Sequence, residues 1–486
     1  MRLLHLSAAL SLVFAGALAH AATGDSVRVW TTTGDQRQLM QQGHDIAFDT
    51  GPGSAPAGKG PLDTVIELDP ATRFQSVVGF GAAITDASAL LIHDKLNPAQ
   101  RDGLMKELFG REGQGLGLSM TRLTIGASDF STLDYSFDDV GPGQTDPALE
   151  HFSIEPNRAA VLPTVRQARA INPDLAVMAS PWSAPAWMKT SDSLIKGRLK
   201  LDAYPAFAHY LLRYVQAYAA EGVPIYALTL QNEPHFEPEN YPGMRVEPAE
   251  RAAFIGGHLG PALAGTGVKI FDWDHNWDEP QSPMLTLADP AAARYIDAVA
   301  WHCYGGTPDA QSRVHASHPD KDVYMTECSG GGWAPGWDKQ LQFFAGTLLI
   351  DGTRNWARGV LFWNLALDEN AGPHLGGCGN CRGVVTIDSR TGQVTRNPEY
   401  YALAHVSRFV RPRAQRIASS EGTAASGEPS GVKSVAFRNA DDGSLVLVAA
   451  NPGKGARRLT VREGARSFHA SLPAGSVETF VWPAAR

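Results

Sequence analysis

The rhythm of apolar and polar positions changes twice along the chain. Between about Phe74 and His405, short apolar runs alternate with longer stretches whose apolar positions recur near every 3.6 residues. Eight of the short runs read as strands: 77–80, 118–125, 176–180, 226–231, 269–273, 298–302, 323–326 and 359–363. Between them, 205–220 and 338–349 carry helical spacing, and Pro205 suits a first helical turn, where its missing N–H costs nothing. Eight strands separated by helices predict a (β/α)8 TIM barrel, an α/β fold. An open doubly wound sheet would carry a glycine-rich dinucleotide turn after an early strand. Gly113-Gln114-Gly115-Leu116-Gly117 lacks both that spacing and a preceding strand.

The flanks read differently. Val27-Arg28-Val29-Trp30-Thr31-Thr32-Thr33 alternates as a half-buried strand does, 64–68 is a second candidate, and 51–58 is loop by composition. Past His405 the helical period stops. Runs 432–437, 444–448, 458–461, 467–471 and 478–482, separated by turns such as Asn439-Ala440-Asp441-Asp442-Gly443, predict a small β-sandwich. The N-terminal strands are placed to join it. The expected division is a leader over 1–21, strands of the side β-domain over 22–74, the barrel over 75–405 and a C-terminal β-sandwich over 406–486.

The leader reading rests on a short positive start (Met1-Arg2), an apolar stretch from Leu6 to Leu18 and an Ala19-His20-Ala21 cleavage pattern. That apolar run is too short for a membrane anchor, and polar Thr23-Gly24-Asp25 follows it. A secreted or periplasmic protein is expected, cleaved near Ala21-Ala22 and without stable membrane insertion. The net charge of −8 and the lack of a basic stripe argue against nucleic acid as a partner. In an oxidising compartment Cys378-Gly379-Asn380-Cys381 reads as a loop-stapling disulfide, since one pair falls short of a zinc site. Cys303 and Cys328 stand as core thiols or as a second bridge.

The residues at the ends of the eight strands suit a carbohydrate. Two runs each end on a glutamate: Leu230-Gln231-Asn232-Glu233-Pro234 and Met325-Thr326-Glu327-Cys328. Glycoside hydrolysis needs two carboxylates facing across one bond. Around them fall Arg122 and Asp129, then Trp182, Trp187 and Lys189, then Asn232. Asp274, His275, Asn276 and Trp277 follow, then His302 and Tyr304, then Trp363 and Asn364. Charged and amide groups grip hydroxyls, and indole faces cover pyranose rings. Arg122 also fits a salt bridge under the mouth, His302 a buried hydrogen-bonded histidine, and Trp301 and Trp187 core packing. Asn232 is suited to bond a 2-hydroxyl, and Tyr304 to hold Glu327 as a carboxylate.

These motifs resemble glycoside hydrolase family 30, the family of glucosylceramidases. The likeness runs through 121–130, 180–189, 231–234, Trp301-His302-Cys303-Tyr304, 326–328 and 362–367, and through Asn397-Pro398-Glu399-Tyr400-Tyr401 and 405–410. The resemblance implies a retaining β-glycosidase with Glu233 as acid/base and Glu327 as nucleophile. It also implies Arg122, Asp129, Trp182, Asn232, Tyr304 and Trp363 around the innermost sugar, with His302 beside them, and neither metal nor organic cofactor. The substrate it implies is a β-glucoside, a β-glucan or a glycolipid, with a glucosylceramidase-type β-glucosidase as the first expectation. Endo-β-1,6-glucanase or β-xylosidase action is the alternative, and a non-catalytic carbohydrate-binding protein the remote one. Segments 272–278 and 368–384 depart from the lysosomal enzyme and are expected on the aglycone side of the cleft.

Overall fold

The computed structural model describes residues 26–49, 63–334, 336–424 and 428–484. The expected leader and the loop 51–58 lie outside them. Eight parallel strands close a barrel: β1 (Gly79–Ala83), β2 (Met120–Ile125), β3 (Ala176–Pro181), β4 (Ala227–Thr229), β5 (Lys269–Asn276), β6 (Ile296–His302), β7 (Asp322–Glu327) and β8 (Ala357–Asn364). Each falls on one of the eight expected runs. All six residues of β2 are buried, because one face meets the barrel interior and the other the surrounding helices. Met120, Met178, Phe271, Tyr324 and Leu361 fill the interior below the mouth, so the barrel is a packed core and not a pore. The helix expected over 205–220 is Tyr204–Ala220, with proline in its first turn.

The side domain is built from both ends of the chain. Ser26–Thr33 pairs antiparallel with Ser476–Trp482. Asp63–Ser76 runs between Gln415–Ser419 and Arg457–Glu463, so this strand extends past residue 74 to the threshold of the barrel. Val27, Ile66, Leu447, Phe468, Phe480 and Trp482 pack its core. Gln415–Ser419 is not among the expected runs; its place comes from pairing with a strand some 340 residues earlier. His405, on the helix Pro398–Ser407, links the two units. Its ring nitrogens lie 2.8 Å from Thr479 Oγ1 and 2.9 Å from Thr32 Oγ1, and burial pushes it down to about 3, so it is neutral. No helix among the described residues is long and apolar enough to cross a membrane.

Candidate active site

The site forms where regular strands stop. β4 ends at Thr229, two residues short of the expected run, and Glu233 takes φ +46°. That left-handed backbone costs a non-glycine residue on the order of 1–2 kcal/mol. It breaks the alternation that would send Asn232 and Glu233 to opposite faces. The turn is held by Asn232 N–H to Pro181 O at 2.8 Å and Glu233 N–H to Asp274 O at 3.0 Å. β5 is bulged, with Trp273 at φ +78° and Asp274 at +53°, and its register against β6 shifts there. The bulge turns Asp274 into the barrel.

Asp274 is the hub beneath the mouth. Its Oδ1 accepts from Thr326 Oγ1 at 2.6 Å and meets His302 Nε2 at 3.0 Å. Its Oδ2 accepts from Arg122 Nη2 at 2.7 Å, Ser180 Oγ at 2.8 Å and Thr229 Oγ1 at 2.8 Å. Although burial opposes ionisation, the Arg122 charge and the His302 and Thr326 bonds hold this carboxyl far below the ordinary range. Arg122 also donates to Glu327 Oε2 at 2.5 Å and to Asn232 Oδ1 at 2.8 Å. Tyr304 O–H donates to the other oxygen of Glu327 at 2.9 Å.

His302 stands between the two glutamates. Its Nδ1 is 3.0 Å from Glu233 Oε1 and 3.9 Å from Glu327 Oε1, so those oxygens are at most the sum, 6.9 Å, apart. Burial would lower its pKa, but Glu327 and the bonds to Asp274 and Glu233 outweigh this and push it up to about 9. Burial pushes both glutamates upward; the His302 bond and the His275 and His302 charges outweigh it and leave Glu233 below the ordinary range, whereas burial outweighs His302 and Arg122 at Glu327 and leaves that carboxyl above it. The charges then count simply. Arg122 and His302 supply two positive charges against Glu233, Asp274 and Glu327. The buried cluster is neutral when one carboxyl carries a proton, the state burial favours. Asp274 is locked as an anion, and Glu327 accepts donors on both oxygens. Glu233 Oε1 faces His302 Nδ1 at 3.0 Å and His275 Nδ1 at 3.6 Å, and these two rings draw it toward the anion in the free site.

The mouth opens into a cleft of about 510 Å³ lined by Asp129, Glu233, Tyr241, Tyr304, Glu327 and Trp363, with Gly377, Cys378 and Cys381 on one wall. Burial, then Glu327 and Glu233, raise Asp129 well above the usual carboxylate range, which makes it a neutral donor beside the pair. The backbone of the 368–384 loop lies directly on it: a Cβ on Gly377 would fall 2.4 Å from Asp129 Cβ. That loop is closed by a Cys378–Cys381 disulfide, and a second bridge, Cys303–Cys328, ties the ends of β6 and β7. A cavity of about 560 Å³ at the junction with the side domain is larger, but Arg396 and Glu107 in its wall are paired through two bonds of 2.5 and 2.6 Å. It gathers no comparable set of free groups.

Several expected residues sit elsewhere than expected. Arg122 and His302 are wholly out of solvent and bonded to the glutamates, which fits the salt bridge under the mouth and the buried hydrogen-bonded histidine that the sequence also allowed. Trp182 is 3% exposed and stacks on Trp363 at 5.0 Å, with the Arg122 guanidinium 4.8 Å from its ring, so it backs the cleft wall. Segment 272–278 is not an aglycone wall. Asp272 is ion-paired with Arg251 at 2.9 Å, both fully buried, and Trp273 and Trp277 are core. The hub role of Asp274 was not anticipated, because nothing local in the sequence signals a bulge that aims it at five donors. Trp301 and Trp187 are core residues, Trp187 donating to Asp138 at 2.9 Å.

Among the described residues, Glu233, His275 and His302 bring ligand atoms within 4.8 Å of one another. Metal ligation needs a neutral imidazole with a free lone pair. His302 turns both nitrogens to carboxylates and stays charged to about 9, which suits placing a proton instead.

The sequence matches the glycosyl hydrolase family 30 TIM-barrel domain over residues 77–410 and the family 30 beta sandwich domain over 414–480. It is 36% identical to the endo-1,6-beta-D-glucanase of Neurospora crassa over 444 residues, 88% of this chain and 90% of that protein. Against the lysosomal acid glucosylceramidase of Mus musculus it is 28% identical, covering 88% and 85%. A solved endo-beta1,6-glucanase superposes with a TM-score of 0.85 at 32% identity, covering 95% of this chain and all of that one.

Proposed function

Because the chain belongs to glycosyl hydrolase family 30, we propose that it is a retaining endo-β-1,6-glucanase in which Glu327 is the nucleophile and Glu233 the acid/base. The observation that supports this substrate is its greater likeness to endo-1,6-β-glucanases than to glucosylceramidase, along nearly the whole chain. This reading replaces the glucosylceramidase-type first expectation with its alternative.

In the first step one oxygen of Glu327 bonds to the anomeric carbon. The bond from that carbon to the bridging oxygen breaks, its electron pair goes to the oxygen, and Glu233 supplies the proton. The bound of 6.9 Å on the two Oε1 atoms admits the separation of ~5–5.5 Å that direct attack needs. In the second step Glu233, now a carboxylate, takes a proton from water. The water oxygen bonds to the anomeric carbon and Glu327 leaves. Arg122 favours the ionised form of Glu327 against its burial, Arg122 and Tyr304 together aim its two oxygens, and the Arg122 bond leaves the Asn232 amide group to donate to the sugar's 2-hydroxyl. Trp363 faces the ring of the innermost sugar, and Asp129 donates to one of its hydroxyls.

Export also belongs to this proposal, supported by the leader-like N terminus and by two disulfides, which persist outside reducing compartments. The test is a panel of linear β-1,6-glucan, glucosylceramide in detergent and xylan. Short β-1,6 oligosaccharides from the first are expected. Release of glucose from glucosylceramide, with the glucan untouched, would sink the substrate reading.

A further inference from the structure

Aromatic side chains are mostly inside this protein. Among the described residues, the phenylalanine, tyrosine and tryptophan side chains that stand largely exposed are Phe236 at 47%, Tyr304 at 46% and Trp333 at 51%. All three line the cleft that holds Glu233 and Glu327. Exposing an indole and a phenyl ring to water is unfavourable by roughly 25 cal/mol per Å² of apolar surface, and scattered aromatics would need no explanation. Convergence on one cleft does need one.

Tyr304 is already engaged with Glu327. The other two have no such partner, and each is held in place by its backbone. Phe236 follows the acid in a tight turn, with its N–H on Glu233 O at 2.8 Å. It therefore flanks the group that Glu233 protonates, the leaving side of the scissile bond. Trp333 lies across the backbone of Gly331, where a Cβ would fall 2.0 Å from the indole Cζ3. Gly330 and Gly331 in turn pair with Arg382 and Cys381, and Gly332 N–H donates to Asn380 O at 2.8 Å. The paired segment is pinned from behind by Arg382, which grips the buried Glu399 at 2.7 and 3.0 Å. The C-x-x-C loop, the glycine pair and the indole thus form one braced wall.

We propose that Phe236 and Trp333 form a leaving-side subsite that stacks on glucosyl residues of a β-1,6-linked chain. This inference rests on the functional reading above and specifies where the departing half of the glucan sits. A pyranose presents one apolar face and a rim of hydroxyls. The rings here offer the matching face, and Glu239, Asn240 and Tyr241 between them offer the matching polar rim. A ceramide would need a continuous aliphatic trough, and the cleft lining contains none: beyond its aromatics, its apolar side chains are Pro238 and the disulfide. The β-1,6 bond has an extra rotatable torsion, so a chain leaving the innermost subsite is flexible. Two rigid rings would select one of its conformers.

The experiment compares kcat/KM on gentiotetraose and on β-glucosyl fluoride, whose leaving group is too small to reach either ring. Phe236→Ala, Trp333→Ala and Gly331→Ala, which lifts the indole without deleting it, are each expected to lose about tenfold more on gentiotetraose than on the fluoride. Unchanged thermal unfolding excludes misfolding as the cause. Equal losses on both substrates would overturn the platform while leaving the functional reading intact. A selective loss on glucosylceramide, with gentiotetraose spared, would overturn it in favour of a lipid site. A wild-type enzyme that cannot cut gentiotetraose would overturn both.

Discussion

Arg122 Nη1 donates to Glu327 Oε2 at 2.5 Å, with the arginine wholly buried and the glutamate nearly so. The same guanidinium reaches Asp274 and Asn232, so one cation organises the proposed nucleophile, a hub and an amide. Removing one partner of such a pair strands the other charge. Arg122→Gln should therefore lower unfolding stability by about 3–5 kcal/mol, read by urea denaturation. Arg122→Lys should recover little of it, because an ammonium cannot span three acceptors in one plane. A lysine variant with wild-type stability and kcat would contradict this role.

Glu233 and Glu327 should respond differently to the leaving group. Glu233→Ala is expected to cripple substrates with poor leaving groups by about 10²–10⁴-fold while sparing activated aryl glucosides in their first step. Equal losses across a leaving-group series would remove the acid role from Glu233.

His302 makes stability depend on pH. Its pKa is raised from 6.5 to about 9 in the folded protein, so its stabilising contribution is complete below about 6.5 and is lost as pH rises to about 9. The contribution is on the order of 3 kcal/mol. Thermal unfolding from pH 6 to 9.5 should fall more steeply for the wild type than for His302→Gln. Parallel slopes would show that another group carries the titration.

The Cys303–Cys328 bridge closes a loop with a sequence separation of 25 and flanks both ends of the Tyr304–Glu327 bond. Replacing both cysteines with alanine should cost about 3 kcal/mol of stability, and kcat should fall with it as Tyr304 loosens. Reducing the cleft-side Cys378–Cys381 bridge should instead weaken activity on long chains more than on a small glucoside. If the two bridges give the same pattern, the assignment of one to the nucleophile and the other to the wall is wrong.

What was legible in the sequence was what is local. The barrel strands are buried on both faces and end in turns, so each run carried its own signature, and the two glutamates marked strand ends by position alone. The side-domain strand Val27–Thr33 showed by alternation and 478–482 as a short run set off by turns, although nothing local said that they pair with each other. Asp274 escaped because its role depends on a bulge and on donors from five other strands. Arg122 and His302 were legible as residues but with two readings open, since polar type alone does not tell a sugar contact from a buried ion pair. The wall that carries Trp333 escaped for a similar reason, as Gly331 meets Cys381 across 50 residues of chain.

The most direct test gives the protein linear β-1,6-glucan in an NMR tube and follows the anomeric protons from the first minutes. Hydrolysis through a glycosyl–Glu327 intermediate predicts new reducing ends that appear first as the β anomer, with α growing in later by mutarotation. Reducing ends that appear first as α would contradict the paired-glutamate geometry, and the absence of any new reducing ends would contradict the substrate.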